Sequence, residues 1–244
     1  MKKKWSLAGC CLLFLFLSHC RKENDILPEN ARLKLVLSFH NLIETVPMDT
    51  SEVFEYNKSG QISKVSYRYN YDLYEYNSTR QLIKITNYHA NGNSPTGYIT
   101  LKIYSYTYSG EGKKVKETIE YPMINSFEYN LFLYTEGRLH KIENHDKSDV
   151  LINYTIYEYD DKGQPVREVL YAGNNMPFRW TFHSFSNGLN VRTVIYADEI
   201  LENMVREYKR TFDINKNLKI LETFQGPASS QVGNGVNRYI YFGE

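Results

Sequence analysis

The residues whose types could do chemistry in this 244-residue chain are few and dispersed. His140, Glu143, His145 and Asp146 offer imidazole and carboxylate donors of the kind that hold a transition metal. They straddle a strand end and a polar loop, where histidines are commonly just exposed, so no metal is expected. Asp213-Ile214-Asn215-Lys216-Asn217 copies the opening of a calcium loop. The glycine that should follow is Leu218, and Phe224 stands where the bidentate glutamate belongs. Phe178, Arg179 and Trp180 could form an aromatic platform for a sugar ring, with buried packing as the ordinary alternative. Tyr88 and Tyr98, at the two ends of a polar stretch, are further candidates for ligand contact. No paired acids, Ser-His-Asp set, P-loop or dinucleotide fingerprint occurs, so neither an enzyme nor a cofactor is expected.

Cysteine chemistry is confined to the amino end. Lys2, Lys3 and Lys4 precede an apolar run from Leu7 to Leu17, which is too short for a spanning helix of about 20 residues and reads as an export signal. The run ends in Leu17-Ser18-His19-Cys20, which resembles the lipobox of lipoprotein precursors. That resemblance implies cleavage before Cys20 and acylation of its thiol; ordinary signal cleavage or Cys10, in Leu7-Ala8-Gly9-Cys10, are the alternatives. Residues 1–19 are thus assigned to a signal, 20–31 to an acylated cysteine and tether, and 32–244 to one domain. Cys10, Cys11 and Cys20 are the three cysteines, so the domain has no thiol for a disulfide, zinc site or nucleophile. Glu23 and Asp25 in the tether are similar to the export signal of Bacteroidota surface lipoproteins. The resemblance implies an outer-membrane, surface-facing address, with the periplasmic face as alternative.

Removing the three lysines with the signal turns the formal charge of +1 into −2. Binding to nucleic acid needs a basic excess that is absent here. The chain carries 22 tyrosines against 2 tryptophans, a bias suited to half-buried pleated surfaces where the ring packs and the hydroxyl stays wet.

The elements that must position any site emerge from a repeat. Tyr157-Glu158-Tyr159-Asp160-Asp161-Lys162-Gly163-Gln164-Pro165-Val166-Arg167-Glu168-Val169 has degenerate copies anchored on Tyr56, Tyr76, Tyr108, Tyr134, Phe185 and Phe212. The seven anchors are separated by 20, 32, 26, 25, 26 and 27 residues. Each copy has the logic of a hairpin: two aromatics on one strand face, an Asn, Asp, Ser or Thr opening a type I turn, a glycine supplying positive φ, then a return strand. Arg80 and Asn217 replace that glycine in two copies, and arginine tolerates the left-handed region poorly. The return-strand pairs Ile62/Val65, Leu82/Ile85, Leu139/Ile142, Val166/Val169, Val191/Val194 and Leu218/Leu221 are three apart, which predicts a β-bulge that resets their register. Glu55, Glu75 and Glu158 recur against Lys64, Lys84 and Arg167 as expected cross-strand charge pairs on the solvent face.

Tyr159, Asp160, Gly163 and Val166 resemble the YD repeat of Rhs-type proteins and related bacterial surface lipoproteins, over about residues 54 to 221. The resemblance implies hairpins laid side by side in one long sheet. With a first strand at 33–39 and a last at 238–242, about 16 strands of an all-β, antiparallel sheet are expected. Open sheets rarely stay regular beyond about 10 strands, so the sheet is expected to curl into a trough or barrel. All tight turns then lie on one edge and the connections between copies on the other, at 86–98, 121–127, 144–149, 171–180 and 224–237. Loops on a rigid scaffold usually carry recognition. The expected function is a non-catalytic binding, adhesion or structural module on a membrane anchor, with a glycan or protein ligand. A carrier of an apolar ligand inside the sheet is the alternative, and an enzyme with a scattered site a third. A transmembrane barrel is not expected, because both strand faces carry Lys, Glu and Asn.

Overall fold

A computed structural model describes residues 32–40, 49–94, 96–225 and 235–241. The proposed signal, Cys20, the whole tether, most of the 224–237 connection and Phe242 lie outside the described residues. The chain opens with β1 (Leu33–His40). Seven ribbons follow: β2 (Asp49–Tyr56) with β3 (Ile62–Ser66), β4 (Asn70–Tyr76) with β5 (Leu82–Ala90), and β6 (Tyr98–Tyr108) with β7 (Lys114–Tyr121). Then come β8 (Ser126–Thr135) with β9 (Arg138–Asp146), β10 (Leu151–Tyr159) with β11 (Pro165–Ala172), β12 (Pro177–Ser186) with β13 (Leu189–Tyr196), and β14 (Met204–Phe212) with β15 (Leu218–Gln225). The last strand is β16 (Gly235–Tyr241). Each repeat copy is one ribbon, as its pattern predicts. Every strand pairs antiparallel with its sequence neighbours, and β16 pairs with β1, so the 16 strands close into a barrel. Closure removes the two edges that an open sheet would expose.

Directly opposed residues share a face, and the pairing can be followed around the ring. One face holds Val36, Phe54, Val65, Leu221 and Tyr239, all buried, with Tyr74 and Tyr208 packed against them. The other holds the ion pairs Glu55–Lys64 and Glu75–Lys84, each 3.0 Å, and Glu158–Arg167, 2.7 Å. The first face is the interior and the second the exterior. The expected charge pairs are present and face outward.

The predicted bulge occurs in all seven ribbons, directly after the residue of the return strand that opposes the anchor aromatic. In the first, Tyr56 opposes Ile62 while Glu55 opposes Lys64, which leaves Ser63 unopposed. The skipped residue brings Ile62 and Val65 to the same inward face, and likewise Leu82/Ile85, Leu139/Ile142 and Leu218/Leu221. Two pairs need correction. In the fifth and sixth copies the inward positions are Pro165/Glu168 and Asn190/Thr193, while Val169 and Val194 face outward, opposite Ile156 and Phe182. In these two copies the valines stand one residue beyond the inward positions, the first of each pair three residues after the glycine and not two.

The turns split into two designs. Most place a residue of positive φ four positions after the anchor aromatic: Gly60, Gly112 and Gly163, but also Arg80 at φ 67° and Lys216 at φ 65°. Lys216, not Asn217, takes the glycine's place in the last copy. Arg80 tolerates the position because its carbonyl accepts from Gln61 Nε2 and its guanidinium donates to Ser59 O, 2.7 Å away, on the neighbouring turn. The turn-opening side chains accept as expected: Asp160 Oδ1 takes the amides of Lys162 and Gln164, and Asp213 Oδ1 that of Asn217. The fourth and sixth copies instead use two-residue loops with positive φ at both positions, Glu136-Gly137 and Asn187-Gly188, a type I′ turn and not the type I expected.

The anchor tyrosine has a role that spacing alone does not reveal. Tyr56, Tyr76, Tyr108, Tyr134 and Tyr159 donate their hydroxyls to the carbonyls of Leu33, Ile62, Leu82, Lys114 and Leu139, at 2.6–2.9 Å. Each acceptor is the first or, for Leu139, the second residue of the strand that precedes the tyrosine's own ribbon. The repeat therefore latches one ribbon to the last, with roughly 1 kcal/mol per bond. Burial pushes the Tyr56 hydroxyl up to about 12, which keeps it a donor. Phe185 and Phe212 keep the ring without the latch.

At the other edge the strands run further out than expected, so four expected connections shrink to 91–97, 122–125, 147–150 and 173–176, and two that were not expected lie at 67–69 and 197–203. Thr86–Ala90 and Tyr98 belong to strands. Gly173 is fixed there by contact: a Cβ on it would lie 2.2 Å from Leu151 O, while its amide donates to Ile152 O at 2.9 Å. Gly173→Ala is expected to cost roughly 1–3 kcal/mol, read as a lowered urea midpoint at unchanged slope. Parental stability would contradict this close approach.

Candidate functional site

The outward face changes character with height. Near the turn edge and at mid-wall it carries the ion pairs already named, with Lys141–Glu143 at 2.7 Å and Arg192–Glu207 at 2.6 Å. Towards the connection edge cross-strand rings replace them. Tyr71 stacks on Tyr88 with centroids 4.7 Å apart and meets Tyr98 edge-on at 4.9 Å. Tyr154 stacks on Tyr171 at 4.9 Å, and Tyr129 on His145 at 5.1 Å. The shelf forms because β4 and β5 oppose Tyr71 and Tyr88 on the outward face, while β6 adds Tyr98 opposite Ala90, two residues further along β5; the Lys64 ammonium lies 5.3 Å from the Tyr71 centroid. Tyr98 is 39% exposed. The structure thus brings together Tyr88 and Tyr98 and adds Tyr71, which sequence reasoning missed. Its parity was readable, since Tyr71 lies an odd number of residues from the inward Tyr74 and Tyr76.

The candidates on β12 are divided between faces. Trp180 points outward but is 5% exposed, packed beside Val169 and Tyr196, while Phe178 is the unopposed residue of the bulge between β11 and β12 and is 47% exposed. Arg179 sits between them in sequence and faces the lumen opposite Leu170. Among the histidine and acid candidates, His140 is the exposed bulge residue of its ribbon. Glu143 is shared between Lys141 and His145 Nε2, 3.3 Å away, and the lysine holds its carboxyl below the usual range. Among the described residues no three metal-ligating side chains converge.

The lumen is graded along each ribbon. Above the anchor ring come Phe54, Tyr74, Tyr106, Phe132, Tyr157, His183 and Arg210; two residues further on stand Glu52, Asp72, Tyr104, Asn130, Thr155, Thr181 and Tyr208. Nearest the connection edge are Asn70, Lys102, Glu128, Asn153, Arg179 and Arg206. The polar members are hydrogen-bonded to one another. Asn130 Nδ2 donates to Glu117 at 2.7 Å and Asn144 Nδ2 to Asn130 at 3.0 Å. Asp72 accepts from Asn87 at 2.6 Å and from the Tyr67 hydroxyl at 3.1 Å. Burial raises the carboxyls of Glu52, to about 7, and of Asp72; the Asp72 charge adds to the rise at Glu52.

A third network joins β11 to β14. His183 Nε2 lies 2.9 Å from Glu168, its Nδ1 lies 3.0 Å from both Thr193 Oγ1 and Asn190 Nδ2, and Arg210 donates to Thr193 at 2.9 Å and to Asn190 at 3.0 Å. The Asn190 amide must donate to Nδ1, so the ring's own proton sits on Nε2 and is given to Glu168. The connectivity is that of a triad, yet Thr193 is 1% exposed and offers no nucleophile to a substrate. The network binds four strands together. An open depression of about 250 Å³ lies at Lys219, Ile220, Arg238 and Tyr239.

No family model matches the chain, and neither does any curated protein. Among solved structures it is similar to a porin-like protein from Bacteroides vulgatus at 11% identity, over 87% of this chain and 99% of that one, with a TM-score of 0.49. A porin-like protein from Bacteroides uniformis is similar at 9% identity over 86% and 97% of the two chains, with a TM-score of 0.40. The complex TcdB2-TccC3-Cdc42 contains a chain that is similar at 16% identity over 82% of this chain and 11% of that one, with a TM-score of 0.36.

Proposed function

We propose that this chain is a non-catalytic binding module of the YD-repeat type, exported and acylated at Cys20, which presents a tyrosine shelf to sugar rings at the cell surface. The shelf of Tyr71, Tyr88 and Tyr98 carries the reading: three outward rings at right angles and in parallel offer both a stacking face and hydroxyls for a pyranose. The outward ion pairs support a barrel that is not threaded through a bilayer, since the lipid-facing band of a spanning barrel must be apolar over about 25 Å. Phe178, 47% exposed on the same edge, is a second contact point, with Arg179 and Trp180 positioning its strand.

Glycan-array binding of a chain beginning at Arg21, compared with its Tyr71→Ala and Tyr88→Ala variants, tests this. Loss of one stacked ring is expected to weaken the bound glycan about tenfold, the equivalent of roughly 1.4 kcal/mol. Undiminished binding in both variants would move the site off the shelf and into the graded lumen, where the carrier reading places an apolar ligand.

A further inference from the structure

We infer that the connection edge of the barrel docks end-on onto a lipid surface, with its loop tips at the acyl-chain boundary and its charged wall in water. Five of the six described connections carry an exposed apolar or aromatic side chain: Tyr69 at 59%, Ile124 at 72%, Val150 at 59%, Met176 at 63% and Ile200 at 70%. Single exposed apolar residues need no explanation, but one on each of five connections around a closed ring does. The described tight turns at the opposite edge supply one such residue, Ile214.

A protein partner would engage an arc of such a ring, whereas a plane meets all of it at once. Beneath the tips lie the stacked pairs Tyr129/His145 and Tyr154/Tyr171, at the depth where amphipathic rings favour headgroups. Below them the ion pairs Lys141–Glu143 and Arg192–Glu207 set the limit of immersion. The layering of apolar tip, aromatic girdle and charged wall is that of one interface of a membrane, entered from one side.

Charge selects the kind of lipid. The connections carry Arg68 and Lys147 against Asp149, Asp198, Glu199 and Glu202, so the edge is not drawn to an anionic surface and zwitterionic headgroups suit it. The chain outside the described residues is compatible with this orientation. Leu33 accepts from Tyr56 at the turn edge, so the tether joins the barrel at the far end from the docking edge. Eleven residues from Arg21 can reach about 35–40 Å, and strands of eight or nine residues at the tilt of a barrel rise only about 20–25 Å. An acyl chain on Cys20 and the connection edge can therefore enter the same leaflet.

Flotation with phosphatidylcholine vesicles tests the inference, using the chain from Arg21, which holds all 16 strands of the closed sheet and no acyl anchor. The protein is expected to float, equally at 0.15 and about 0.5 M salt, because apolar insertion is not screened. Ile124→Ser/Met176→Ser/Ile200→Ser should reduce the bound fraction at least tenfold at unchanged Tm, and Ile214→Ser should leave it unchanged. Failure of the parent to float, equal flotation of the triple variant, or a dimer in sedimentation that the triple variant dissolves would each overturn the docking. Binding of soluble glycans without vesicles is read separately, so the shelf and the docking edge can fail independently.

Discussion

Ser38→Cys/Asn237→Cys is expected to cross-link within a single chain on oxidation and to raise stability by up to about 5 kcal/mol, the largest effect of any change considered. Ser38 on β1 and Asn237 on β16 oppose each other directly, with Ser38 Oγ donating to Asn237 Oδ1 at 2.9 Å across 199 residues of sequence. The folded domain holds no other cysteine once Cys10, Cys11 and Cys20 are left off the chain, so the bond has one partner to choose. Intramolecular cross-linking requires closure, because in an open trough β1 and β16 would be the two far edges. Disulfide-linked dimers, or a reduced species that resists oxidation while folded, would show an open sheet. Non-reducing gels and urea titrations of both redox forms make the measurement.

Closure also explains why the repeat tolerates such degenerate copies. Each ribbon contacts its neighbours, as in other repeat proteins, but here the terminal ribbons cap each other and no specialised end is needed. A ribbon that lacks one device can lean on another. Phe185 lacks the tyrosine latch, and its ribbon carries the His183 network in its place. Arg80 lacks the glycine, and Gln61 and Ser59 of the preceding turn hold it.

Much of this was legible in the sequence because a strand's period is two and a bulge shifts it by one. The anchors, the seven ribbons, the outward Glu–Lys pairs and the bulge could all be read from spacing. Whether the sheet closes could not, since that depends on the summed twist of 16 strands and on the chance that Val36 meets Tyr239 in register. Two aliphatic pairs were misplaced because the fifth and sixth copies put Glu168 and Thr193, and not a hydrophobe, at the inward position; only the cross-strand partner reveals which side a valine takes. The site was harder. Tyr88 and Tyr98 were singled out for their place beside a loop that proved shorter, and Tyr71 completes them from a strand 17 residues before Tyr88. A cluster assembled from three strands leaves no contiguous motif.

Glu52→Gln is expected to stabilise the barrel by about 1–3 kcal/mol at pH 8 and to leave it nearly unchanged at pH 5. Glu52 faces inward on β2, opposite Val36. Burial, and after it the charge of Asp72, raises its carboxyl from 4.5 to about 7. The folded state therefore holds this proton more tightly than the unfolded chain does. Its favourable contribution is complete below about pH 4.5 and is lost as the pH rises through 7, after which the folded state carries an ionised carboxylate at a cost of up to about 3 kcal/mol. Glutamine keeps the shape without the charge, so urea titrations at pH 5, 6, 7 and 8 should show a parental decline that the variant lacks. Glu55→Gln, one ladder step beyond Phe54 on the outward face, removes an exposed partner of Lys64 and should shift stability by under about 1 kcal/mol. The comparison also reports on the lumen, because a carboxylate bathed by a water-filled channel would pay no such desolvation. Parallel pH curves for Glu52→Gln and the parent would mean that the second inward layer is wet, and the graded interior would then be a channel wall and not a packed floor.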